Sequence, residues 1–143
     1  MEIKYVRIEM IKDRSIEVDK NKIGCPKDAE IILRKLLEKQ DRENLLLLTL
    51  DVKNVVTSIS TVSIGSLNSS IVHPREIFKA AILANAASII LGHNHPSGDA
   101  RPSREDLEVT KRINEAGKLM GIELLDHIII GDGYTSLKEQ GII

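Results

Sequence analysis

The chain reads as α/β, a mixed α+β arrangement of helices packed on a mixed sheet, and three observations carry that reading. Strand-like and helical segments follow one another as β, α, β-hairpin, α, β, α, β, β, a succession that a helix-covered sheet satisfies. Residues 44–100 hold only Asp51, Lys53, Arg75, Glu76, Lys79 and Asp99 as charged side chains, while both flanks are dense in them, so the middle of the chain supplies the core. The length of 143 residues predicts one domain over 1–143, at roughly 150 residues per domain. A chain of that size buries about two thirds of its unfolded surface without a disulfide or structural metal.

Each element has a local reason. Met1–Arg7 alternates charged and apolar residues and reads as a strand rather than a secretory signal. Asp28–Lys39 places Ala29, Ile32, Leu33, Leu36 and Leu37 on one helical face behind Pro26. Leu45–Leu50 is a continuous apolar run, Asp51–Asn54 a turn, and Val55–Ile64 is rich in β-branched residues, so two buried strands form a hairpin stopped by Gly65. Pro74 opens a second, Ala-rich helix to about Ala86, and Ala87–Gly92 suits a central strand. Pro102 to about Met120 reads as a third helix with Leu107, Ile113, Ala116 and Met120 available for burial. Ile122–Ile130 is a strand that Gly131-Asp132-Gly133 turns into a last short one.

Composition excludes several functions. A formal net charge of −1 and the lack of a Lys/Arg run argue against direct nucleic-acid binding. Ala80–Leu91, the longest mostly apolar stretch, falls short of the roughly 20 residues of a membrane span, so the expectation is a soluble, cytoplasmic protein without membrane association. A single Cys25 rules out an internal disulfide and the Pro-Cys-x-x-Cys of a zinc deaminase. Few aromatic residues, Tyr5, Phe78 and Tyr134, are available as binding anchors. Oligomeric state stays open, with a homodimer the commonest arrangement.

The chemistry-bearing residues gather around His93-Asn94-His95. In extended backbone, residues two apart point the same way, so both imidazoles can reach one ion at the end of a central strand, where ligands of open α/β sheets bind. Asp106 follows at the start of the third helix. Two neutral nitrogens and one carboxylate oxygen are the ligand set of a catalytic zinc site with a position left open for water. Both features also have structural readings. A His-x-His pair can serve as hydrogen-bonded strand-end residues, and Ser103-Arg104-Glu105-Asp106 fits a helix capping box with Ser103 at the N-cap. His73 reads as a loop-to-helix junction and Cys25 as an inert thiol. Asp126-His127 reads as structural, although it could also orient a hydrogen bond behind the site.

His93-x-His95-Pro96 with Ser103-x-x-Asp106 resembles the JAMM zinc metalloprotease motif of MPN/JAB domains. The wider text is similar to the RadC family from about residue 27 onward: Gly65-Ser66-Leu67-Asn68-Ser69-Ser70-Ile71-Val72-His73-Pro74-Arg75-Glu76, His93-Asn94-His95-Pro96-Ser97-Gly98-Asp99, Pro102-Ser103, Asp106, Thr110, and Leu125-Asp126-His127-Ile128-Ile129-Ile130-Gly131. The resemblance implies an MPN/JAB-like curved mixed sheet of cytidine-deaminase-like architecture; RadC proteins commonly carry an additional N-terminal helix-hairpin-helix-like domain, and the expectation from 143 residues is a stand-alone JAB domain without one. It implies one Zn2+ per chain held by His93, His95 and Asp106, with Glu43 as general base and Ser103 hydrogen-bonding the developing oxyanion. Zinc-dependent hydrolysis of a peptide or isopeptide bond in a protein substrate follows. The alternative is a non-catalytic MPN-scaffold module that binds DNA repair or recombination proteins. A nuclease is disfavoured, because the literal His93-Asn94-His95 string is not the dispersed residue set for which HNH nucleases are named.

Overall fold

A computed structural model describes residues 1–143. Helix α1 spans Pro26–Leu37, strands β1 and β2 Asn44–Leu50 and Val56–Ile64, and helix α2 Pro74–Leu83; β3 is Ser88–Asn94, α3 Arg104–Met120, β4 Glu123–Ile130 and β5 Tyr134–Ser136. The sheet order is β2-β1-β3-β4-β5. All neighbours are antiparallel except β3 and β4, which run parallel because α3 carries the chain across between them.

The core lies in two layers, one on each face of the sheet. Alternation along β1 sends Leu46, Leu48 and Leu50 toward α1, where they meet Ile32, Leu33 and Leu37, and sends Leu45 and Leu47 toward α2 and α3, where Ile77, Phe78 and Ile113 are buried. Both faces being covered, β1 and β3 are buried at every position, which is why their sequences are continuous apolar runs rather than alternating ones. Gly92 lets α1 approach β3 closely: a Cβ there would stand 2.4 Å from the side chain of Leu33.

Four sequence expectations need correction. Met1–Arg7 is not a strand; Met1–Lys22 has no regular element, and Ile3, Tyr5, Val6 and Ile8 are exposed. Its alternation finds no sheet edge to pair with, and an extended segment becomes a strand only through its partner's hydrogen bonds. Backbone pairing with the sheet begins at Asn21, whose carbonyl accepts the Val56 N–H at 2.9 Å, and at Lys22, which bridges Val55; just before them Ile16 and Val18 pack against the core. Helix α2 stops at Leu83 rather than Ala86 because Asn85 turns left-handed at φ 52°, a conformation asparagine tolerates. Strand β3 runs past Gly92 to Asn94, so His93 is a strand residue. Finally, α3 buries Asp106, Val109, Thr110, Ile113 and Gly117, whereas Leu107 and Met120 are exposed. The buried face of α3 therefore carries two polar side chains in preference to two large apolar ones.

Candidate metal centre

His93 is fully buried at the C-terminal end of β3, where it pairs with Leu45 of β1 on one side and Ile129 of β4 on the other. His95 follows just beyond the strand in a tight turn. Its backbone N–H donates to the carbonyl of Ile130 at 2.8 Å, its own carbonyl accepts from Gly98 at 2.9 Å, and the Gly98 carbonyl accepts from Asp132 at 2.7 Å. Gly98 adopts φ +89°, and a Cβ on Gly131 would stand 2.4 Å from the Gly98 carbonyl oxygen. The loops leaving β3 and β4 thus cross backbone to backbone, which fixes where His95 can point. Gly131→Ala is expected to force these loops apart at a cost of about 1–3 kcal/mol, read as a thermal midpoint lowered by several degrees; an unchanged midpoint would show that the crossing yields freely.

Asp106 stands in the first turn of α3. The capping box and the cluster with the histidines turn out to be one arrangement. Ser103 Oγ accepts the Asp106 N–H at 3.1 Å, and Asp106 Oδ2 accepts the Ser103 N–H at 2.7 Å. The same carboxylate reaches both imidazoles, with Oδ1 3.1 Å from His93 Nε2 and Oδ2 3.0 Å from His95 Nε2. The two Nε2 atoms are 3.0 Å apart. Burial alone would raise the Asp106 pKa, but the contacts with the His93 and His95 imidazoles and the hydrogen bond from the Ser103 N–H outweigh it and hold the carboxyl ionised, well below the ordinary range. Contact with Asp106 in turn raises the pKa of His95, against the opposing effect of burial, and the charge of Glu43 adds to the rise.

Tetrahedral zinc holds its ligand atoms about 3.3 Å from one another. His93, His95 and Asp106 offer two nitrogens and a carboxylate oxygen that all lie within 4.8 Å, a cluster able to hold a metal ion. The tautomers suit that use. His95 Nδ1 lies 2.7 Å from the Asp99 carbonyl, an acceptor only, so Nδ1 carries a proton and Nε2 is the nitrogen that would offer its lone pair to a metal.

Glu43 stands immediately before β1, and the antiparallel register that sets Leu45 opposite His93 brings it to the same rim. Its Oε2 accepts the Leu67 N–H at 2.8 Å and its carbonyl accepts the Gly65 N–H at 2.7 Å, so the loop after β2 holds it in place. A polar cleft bordered by Arg34, Gln40, Asn94, His95 and Asp132 opens beside the cluster. His73 stands at the N-cap of α2 without a side-chain cap bond. Cys25 holds the corresponding position of α1 and is exposed.

Two further side chains stand behind the cluster: His127, to which the sequence allowed a hydrogen bond behind the site without saying with what, and Thr110, named only within the RadC-like text. His127, on β4, is fully buried with Nε2 2.8 Å from His93 Nδ1, and Thr110 Oγ1, on α3, is 2.6 Å from His127 Nδ1. Burial, with His93 beside it, pushes the His127 pKa well below the usual histidine value, so its ring is neutral. Asp126 accepts the N–H groups of His127 and Lys138 and the hydroxyl of Ser136, tying β4 to β5. The available signal was a polar Asp-His pair inside the apolar run Leu124–Ile130.

No helix is long and apolar enough to cross a membrane. Compared with known proteins, residues 23–142 match the RadC-like JAB domain. The chain is 58% identical over 123 residues to a UPF0758 protein of Clostridium acetobutylicum, covering 85% of this chain and 54% of that protein. It is 53% identical over 129 residues to a UPF0758 protein of Methanosarcina mazei, covering 90% and 56%, and 57% identical over 120 residues to one of Caldanaerobacter subterraneus, covering 83% and 52%. The chain thus spans about half the length of the curated relatives it matches. With a mixed five-stranded sheet, three helices and a match that runs through both histidines, the cap and β4, the chain belongs to the RadC-like JAB domain family.

Proposed function

We propose that this domain is a zinc-dependent hydrolase of peptide or isopeptide amides. The observation that carries the reading is the convergence of His93, His95 and Asp106 at the end of a parallel strand, with Glu43 on the neighbouring strand's entry. His93, His95 and Asp106 would hold the zinc, which would supply a Lewis acid and lower the pKa of a water to about 7. Glu43 takes the proton from the attacking water and returns it to the leaving amine. The Ser103 hydroxyl, whose oxygen already accepts the Asp106 N–H, keeps its own proton to donate to the carbonyl oxygen as charge develops there. The cleft beside His95 receives the substrate chain on one side of the scissile bond.

Elemental analysis of tag-free protein tests the first requirement. About one zinc per chain is expected in the wild type, lost in His95→Ala and in Asp106→Asn. Asn keeps an oxygen for the Ser103 N–H, so loss of metal in that variant does not arise from loss of the cap. Zinc retained at wild-type level in both variants, or absent from wild type after zinc is supplied, removes the ligand assignment.

A further inference from the structure

We propose that His127 and Thr110 are positioning residues that hold His93 as the Nδ1–H tautomer, the form whose Nε2 lone pair faces His95 and Asp106. The inference rests on the zinc reading above and follows from counting donors. Thr110 Oγ1 has one proton to give and lies 2.8 Å from the Asp106 carbonyl, a group that can only accept. With that proton committed, Thr110 must accept from His127 Nδ1 at 2.6 Å. His127 Nε2 then carries the lone pair, and His93 Nδ1, 2.8 Å away, must donate to it. The chain ends on a bare His93 Nε2.

His95 obtains the same tautomer directly from the Asp99 carbonyl. His93 sits deeper, no backbone carbonyl takes its Nδ1 proton, and His127 does so instead. A second histidine can equally donate, so it fixes nothing until something fixes it; that is the role left to Thr110. Run in reverse, with Thr110 donating to His127 and His127 to His93, the chain would place a proton on His93 Nε2, directed at Asp106 Oδ1, where the metal has to enter. The relay also accounts for the face that α3 buries. Thr110 and Asp106 are one turn apart on it, both buried, in place of the exposed Leu107 and Met120.

Thr110→Val keeps the shape and deletes the hydroxyl, freeing His127 to reverse. It is expected to weaken Zn2+ binding roughly tenfold or more in competition with a chelator, with Thr110→Ser restoring wild-type affinity. A merely structural role would lower the melting point of the metal-free protein and leave zinc affinity unchanged. Thr110→Val binding within about twofold of wild type, while His95→Ala loses zinc, overturns the relay and leaves the zinc reading standing. Wild type that binds no zinc overturns both. Nitrogen-resolved NMR of the histidine rings in metal-free wild type decides the matter even if Thr110→Val does not fold: the expected state is His127 protonated at Nδ1 alone, and a proton on His127 Nε2 overturns the proposal.

Discussion

Glu43→Gln is expected to lower amide hydrolysis by roughly a hundred- to ten-thousand-fold while leaving zinc content and stability near wild type. Glu43 is half-buried and lies outside the cluster of His93, His95 and Asp106, so its replacement takes no ligand away. The amide oxygen of Gln can still accept the Leu67 N–H that now meets Glu43 Oε2, so the loop after β2 keeps its anchor. What disappears is the ability to take a proton from water and pass it on. The effect therefore falls on kcat rather than on KM. Zinc-loaded wild type and variant would be compared on a panel of peptide and isopeptide substrates, with Glu115→Gln, exposed on α3 away from the cleft, as a control. Equal turnover would remove Glu43 from the chemistry, and loss of zinc in Glu43→Gln would make it a ligand or a fold determinant instead.

Strong local patterns carried most of the fold into the sequence. Leu45–Leu50 could only be a strand covered on both faces, and Ala29, Ile32, Leu33 and Leu37 gave α1 its buried stripe; β1 and α1 form where those patterns put them. Patterns misled where the deciding partner was remote. Met1–Arg7 has the alternation of a strand but no neighbour to bond with. In α3, hydrophobicity nominated Leu107 and Met120, yet the helix rotates to bury Asp106 and Thr110, because the polar contacts they make lie under it.

The same distinction runs through the candidate site. His93 and His95 share a face by strand geometry, and Asp106 stands at a recognisable helix start, so their meeting was legible from spacing. Glu43 was not, since nothing local separates it from Glu30, Glu38 or Glu76; its place follows from the pairing of Leu45 with His93, which no single segment encodes. His127 reaches His93 through the parallel register of β4 on β3, set by a crossover of more than twenty residues between Asn94 and Glu123. A buried polar residue in an apolar strand announces that some partner exists. The sequence does not say which one.

Ser103 joins the two readings of the helix start, and its variants separate them. Ser103→Ala is expected to cost roughly a hundred- to a thousand-fold in rate, the usual effect of deleting one oxyanion donor. It also removes an N-cap, worth about 1 kcal/mol of stability. A drop in activity alone would leave those causes confounded. Ser103→Gly resolves them, because glycine at the N-cap costs only about a few tenths of a kcal/mol yet offers no hydroxyl. Both variants keep the backbone N–H that holds Asp106 Oδ2, so neither should lose zinc. The expected pattern is two equally slow, zinc-replete proteins of which only the Ala variant melts early, with Ser103→Thr, which keeps hydroxyl and cap, close to wild type in both. Activity in Ser103→Gly at the wild-type level would confine Ser103 to holding the helix and the Asp106 carboxylate in place, and would leave zinc alone to meet the developing charge.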